Sequence, residues 1–168
     1  MRILGIDPGY DRLGVAILDK KGGTKELLLH SACLTSERTS IFSDRIKGLG
    51  LALSLVITQW KPEVIAIEKL FFTKNQKTAM GVAEMRGVIT YIGATSGLIV
   101  TEYTPGEVKT AVTGYGKAEK RDVQRMIERL IELPSRTRHD DEYDAIAVAL
   151  TCAATYKGGT KYQIPGTK

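Results

Sequence analysis

Four carboxylates occupy places in the sequence where side chains from different elements can meet. Asp7 stands just before Pro8-Gly9, Glu68 closes the apolar run Val64–Ile67, and Asp141 and Asp144 lie three residues apart. At that spacing two helical side chains share one face. Burying several acids together is costly unless a cation neutralises them. Donors that are all oxygen suit a hard ion such as Mg²⁺, with Mn²⁺ as a substitute, better than Zn²⁺. Two ions held in this way can clamp the attacking and leaving oxygens of a phosphodiester during in-line displacement. Plainer readings exist for three of the four. Asp7 before Pro-Gly can cap a turn, and Asp141 and Asp144 can complement the positive end of a helix. Glu68 has no comparable structural task. The joint arrangement therefore points to metal-dependent phosphodiester chemistry, with Asp140, beside Asp141, as an alternative ligand.

The elements that must position these residues are legible as patterns. Met1–Asp7 and Leu13–Asp19 read as strands, and Gly22-Gly23 marks a hairpin turn into a third, Leu27–Leu34. Ile41, Ile46, Leu49, Leu53 and Val56 fall on one face of a helix that should end before Pro62. Glu63–Glu68 reads as a strand buried on both faces. A long helix follows over Gln76–Ser96, then a short strand at Leu98–Thr101. Thr104-Pro105 is a helix start, with a capping hydroxyl and proline in the first turn. Further helices are expected over Lys120–Ile131 and Asp140–Tyr156. This order predicts an α/β fold: a mixed five-stranded sheet, with an antiparallel meander β1-β2-β3 followed by parallel strands, flanked by helices. Residues 1–157 are expected to form one domain, and 158–168 a flexible tail rich in glycine and proline.

Length and charge agree with this reading. The 168 residues suffice for one buried core, and a formal charge of +5 favours a polyanionic partner. Cys33 and Cys152 lack metal-ligand spacing and read as thiols of a reducing compartment. The chain enters a strand at once, without the succession of a signal peptide, and no apolar stretch is long enough to span a bilayer. A cytoplasmic setting with no membrane partner is expected.

Several motifs carry a family resemblance. GIDPG at Gly5–Gly9, AIEKLFF at Ala66–Phe72, MRG at Met85–Gly87, the stretch Val108–Ile127 and DDEYDAIAVAL at Asp140–Leu150 resemble the RuvC family of Holliday junction resolvases, in order and from Met1 to about Tyr156. The resemblance implies a ribonuclease H-like fold and a homodimer that nicks two like-polarity strands of a four-way DNA junction, leaving 5′-phosphates. It implies an active site of Asp7, Glu68, Asp141 and Asp144 around two Mg²⁺ ions, and it prefers Asp141 over Asp140 by its spacing to Asp144. It also implies delivery of the junction by the RuvAB branch-migration complex. Family members commonly carry small residues where this chain has Glu142-Tyr143, so unusual packing is expected there.

By position, Lys109 and Lys120 resemble the family's functional lysines, placed to contact phosphate or stabilise charge at the scissile group. Arg86, Lys117, Lys74 and Lys77 are candidates for a DNA-backbone track, whereas Arg121 and Arg125 read as a solvated helix face. Phe71 matches a family aromatic that can stack on an unpaired base at the crossover. The helix Gln76–Ser96 is the candidate dimer contact. Three other classes are weaker. An actin-like nucleotide site would need a second domain, and a Walker A reading of Gly114–Lys117 fails because Ala111 stands where its first glycine belongs. A YqgF-like nuclease acting on RNA shares the GID start but fits the Glu68–Phe71 and Asp141–Asp144 segments less well. A binding module without catalysis would not need the full acidic set.

Overall fold

A computed structural model describes residues 1–21, 25–70 and 76–158, although for Gln76 and Lys77 it describes the backbone only. The elements run β1 (Arg2–Asp7), β2 (Arg12–Asp19), β3 (Leu27–Thr35), α1 (Phe42–Trp60), β4 (Val64–Glu68), α2 (Gln76–Thr95), β5 (Ile99–Tyr103), α3 (Pro105–Thr113), α4 (Lys120–Leu130) and α5 (Asp140–Thr155). The strands form a five-stranded sheet in the order β3-β2-β1-β4-β5. β1, β2 and β3 pair antiparallel, whereas β4 joins β1 and β5 joins β4 in parallel. This is the mixed sheet expected from the sequence.

Alternation along each strand divides the core into two layers. Leu4 and Ile6 of β1, Val15 and Ile17 of β2, and Ile65 and Ile67 of β4 face α1 and α2. Ile3, Ala16, Leu18, Val64 and Ala66 face α3, α4 and α5. Helix α5 lies across β1 and β2, where its Ala145 to Ala149 segment is wholly buried. Two glycines permit that contact. A Cβ on Gly5 would stand 2.2 Å from the Ala145 carbonyl, and one on Gly14 would stand 2.0 Å from that of Asp141.

Boundaries differ from expectation at β4 and β5. Strand β4 begins at Val64, one residue later than expected. Strand β5 runs from Ile99 to Tyr103, because parallel pairing continues to the Glu68–Tyr103 pair. Leu98 instead closes the end of α2, its N–H bonded to the Gly93 carbonyl beside Gly97 at φ 71°. Helix α1 ends as expected before Pro62, with Lys61 in the left-handed conformation. The capping hydroxyl expected at Thr104 is present, and Glu107 completes it into a capping box.

Candidate active site

Strand alternation aims the acidic residues. Asp7 follows Ile6 on β1, Glu68 follows Ile67 on β4, and Ile6 and Ile67 are register partners. Asp7 and Glu68 therefore end adjacent parallel strands and point to the α5 side. Asp7 is paired on its other flank with Gly14 of β2. Because Gly14 has no side chain, the first turn of α5 presses against it, and Asp141 reaches the position beside Asp7. One turn further along α5, Asp144 faces a cleft of ≈ 270 Å³ lined also by Glu68, Lys109, Lys120 and Pro105. A second cleft of the same size, containing Asp7, Glu68, Lys69 and Thr78, adjoins it at Glu68.

The electrostatics follow from this convergence. Burial, and then the charges of Asp144, Glu68 and Asp141, push the Asp7 carboxyl up to about 7. Glu68 is raised by burial and then by Asp144, against the opposing charges of Lys120 and Lys109. Asp144 is likewise raised, chiefly by burial, although the Lys120 ammonium opposes this from 2.8 Å. Asp140 and Asp141 diverge despite being neighbours. The Asp141 side chain is only 18% exposed and acts on Asp7. That of Asp140 is 68% exposed and looks toward α4, 3.5 Å from Lys120 and 3.3 Å from Gln124.

The donor chemistry suits a hard divalent cation, since Asp7 and the three acids that repel it lack sufficient positive charge. Among the described residues, no three such side chains already stand close enough to form a ready coordination shell. Basic groups of the chain occupy two of the carboxylates instead. Lys120 holds Asp144, and Arg12 stands 3.2 Å from Asp141.

The remaining sequence candidates are more scattered. Lys109 on α3 and Lys120 at the start of α4 line the cleft together. Lys117 is exposed on the turn between those helices. Arg86 on α2 is paired with Glu102 of β5, so it would reach DNA only by leaving that partner. Phe71 and Lys74 lie outside the described residues, as does the Lys77 side chain.

Several contributors were not evident from the sequence. Gly5 and Gly14 matter through close backbone approach, for which a glycine inside a strand is the available signal. Glu142 is buried and bonded by Ser31 Oγ at 2.7 Å, by the His139 N–H at 3.2 Å and by Arg136. Burial alone would raise its pKa, but the hydrogen bonds from Arg136 and Ser31 prevail and lower it. Arg136 also donates to the Ser31 carbonyl at 2.7 Å, which ties the segment before α5 to β3. The unusual Glu142-Tyr143 pair is thus accommodated by the partners that satisfy the buried Glu142 carboxylate, among them a part-exposed Arg136, and by a Tyr143 hydroxyl 3.3 Å from Glu128.

An acidic cleft at the strand ends of a mixed sheet, closed by a helix N-terminus, defines a nuclease of the ribonuclease H-like class. A family model described as "Crossover junction endodeoxyribonuclease RuvC" matches residues 3–152. The chain belongs to this RuvC family and is a DNA endonuclease. A crossover junction endodeoxyribonuclease RuvC of Desulforamulus reducens is 42% identical over 164 residues, covering 96% of this chain and all of the relative. That of Pseudothermotoga lettingae is 43% identical, covering 89% of this chain and 91% of the relative. A structure of T. thermophilus RuvC in complex with Holliday junction substrate superposes with a TM-score of 0.85 at 30% identity, covering 92% of this chain and 93% of that one. The yeast mitochondrial resolvase Ydc2, at 14% identity and a TM-score of 0.68, shares the fold. Among the described residues, no helix is long and apolar enough to cross a membrane.

Proposed function

We propose that this chain resolves Holliday junctions by metal-dependent nicking of two like-polarity strands, during recombination and repair of DNA. The observation that carries this reading is the mutual approach of Asp7, Glu68, Asp141 and Asp144, near enough for the other three to act on Asp7, beside two clefts that adjoin at Glu68, within a fold and family of junction endonucleases. The four carboxylates would hold Mg²⁺, two ions per site, with Mn²⁺ as a substitute. Metal bound there would supply charge neutralisation and an activated water at the scissile phosphate. Glu68 and Asp7, at adjacent strand ends, fix the floor of the cleft, and the first two turns of α5 supply its wall. Lys120 and Lys109 offer ammonium groups beside Glu68 and Asp144, where negative charge develops on the phosphate.

Lys117, Lys74 and Lys77 extend a basic track for the DNA backbone, with Phe71 as the stacking residue at the crossover. The junction's near two-fold symmetry calls for a two-fold enzyme. The outer face of α1 and α2 exposes Leu55 (71%) and Tyr91 (70%), and these helices form the proposed homodimer contact. The RuvAB motor is the expected source of the junction in the cytoplasm. The family match favours DNA over the YqgF-like reading on RNA.

The test is incubation with a mobile four-way junction and a matched duplex, in Mg²⁺ or in EDTA. Paired nicks confined to the junction, dependent on metal and leaving 5′-phosphates, are expected. Asp141→Asn should reduce the rate by at least about 100-fold, whereas Asp140→Asn should stay within about tenfold of the unaltered enzyme. Equal losses would contradict the assignment of Asp141. Cutting of RNA with the junction left whole would overturn the proposed substrate.

A further inference from the structure

Arg12 opens β2 on the same face as Gly14, so its side chain approaches the first turn of α5. Its Nε stands 3.2 Å from Asp141 Oδ2. The Cys33 thiol, on the neighbouring strand, donates to the same oxygen at 3.7 Å. Burial and the Asp141 charge push that thiol up to about 11, so it keeps its proton at neutral pH. Both contacts fall on Oδ2. Among the described residues, the ion-pair partner of Arg12 is Asp141, and the Arg12 side chain is 51% exposed. A half-exposed guanidinium anchors little of the core. What it does here is lend positive charge to a carboxylate in a site short of it.

We propose that Arg12 is an internal counter-ion that competes with divalent metal for Asp141, so that filling the site exchanges guanidinium for metal at that carboxylate. The proposal rests on the metal-binding reading of the cleft. Three features support it. The guanidinium sets a full positive charge 3.2 Å from the Asp141 carboxylate, which opposes an incoming cation whenever it stays in place. Lys120 stands against Asp144 in the same way, which gives Asp141 and Asp144 one chain cation each. Asp140, which faces α4, does not contact Arg12 but shares Lys120. Arg12 therefore marks the acid that turns toward Asp7. Its hold stabilises the metal-free protein and raises the metal concentration needed to load it. A half-exposed ion pair has an influence of about two- to fivefold on such an equilibrium.

The experiment compares wild type with Arg12→Ala, Arg12→Gln and Arg12→Lys in the absence of DNA. Mn²⁺ affinity is read by paramagnetic resonance of the free ion, and the melting temperature is read in EDTA. The two neutral variants should melt lower in EDTA and bind Mn²⁺ about two- to fivefold more tightly. Arg12→Lys, which keeps the charge, should resemble wild type in both. Arg12→Gln keeps a polar side chain at the strand end if Arg12→Ala fails to fold. Unchanged Mn²⁺ affinity in the neutral variants would overturn the proposal. Weaker affinity would overturn it too, and would make Arg12 a residue that orients Asp141 for the metal. Wild type that binds no Mn²⁺ would instead remove the metal reading on which the exchange depends.

Discussion

At the scale of single residues, the site is a problem of excess negative charge. Asp7 shows it best: burial comes first and three neighbouring acids follow, and together they place its pKa at about 7 against 3.8 in the unfolded chain. Between those values the unfolded state has released a proton that the folded state retains. Metal-free protein should therefore lose stability as pH rises from about 4 to about 7, and change little above that. Asp7→Asn removes the titrating group. In EDTA at pH 8 it should melt higher than wild type, on the order of 5 °C, and the gap should narrow toward pH 5. The same variant should not cut junctions. Equal melting at pH 8 would show that the Asp7 carboxylate is not under this repulsion. Saturating Mg²⁺ should raise wild type far more than the variant, because only wild type presents the full set of proposed ligands.

Among the elements, α5 decides whether the acids meet. Asp7 and Glu68 are placed by strand pairing alone, but Asp141 and Asp144 arrive only if α5 lies flat against β1 and β2. Gly5 and Gly14 make room for it, and the Glu142–Arg136–Ser31 network secures the segment that leads into it. In Gly14→Ala the added methyl would meet the Asp141 carbonyl at 2.0 Å, with backbone rather than a flexible side chain in the way. The first turn of α5 must then retreat from Asp7. The expected cost is about 3 kcal/mol in urea denaturation. Displacement of the proposed ligands by about 1 Å would slow single-turnover cutting about 100-fold. A Gly14→Ala protein with wild-type stability and rate would show that α5 does not need this close approach.

For the whole molecule, the question is pairing. The sheet's α3–α5 side carries the cleft, and its α1–α2 side carries exposed apolar residues on neighbouring helices: Leu51 and Leu55 on α1, Met80 and Tyr91 on α2. Met80 and Tyr91 fall on one stripe of α2 with Glu84 and Gly87, all exposed. A face of that kind suits a second copy of the chain. Leu55→Glu combined with Tyr91→Glu should leave the fold intact, since both side chains already face solvent. With the proposed homodimer formed through this face, the mass by light scattering should fall from about twice 18.4 kDa in wild type to that value in the variant. The two nicks in a junction should become uncoupled. A variant that keeps the doubled mass would place the contact elsewhere.

How much of this was legible beforehand depends on the range of the interaction. Alternation, helical periodicity, Pro62 and the Thr104-Pro105 helix start are local, and they specified nearly every element and the antiparallel start of the sheet. Glu68 could be singled out because an acid closing an apolar strand has no evident structural task, whereas Asp7, which can also cap a turn, stood out through the joint arrangement and through motifs that pointed to the family. The choice between Asp140 and Asp141 is different in kind. Adjacent helical residues point about 100° apart, and which of them faces the sheet depends on how α5 docks. The pairing of Arg86 with Glu102, the burial of Glu142 and the approach of Arg12 to Asp141 likewise join residues that are remote or on different elements, and no spacing encodes them. The sequence by itself determined which elements form and which acids are available. The tertiary structure alone decided which acids face one another and which cations of the chain stand against them, because those contacts exist only once α5 has closed over two glycines.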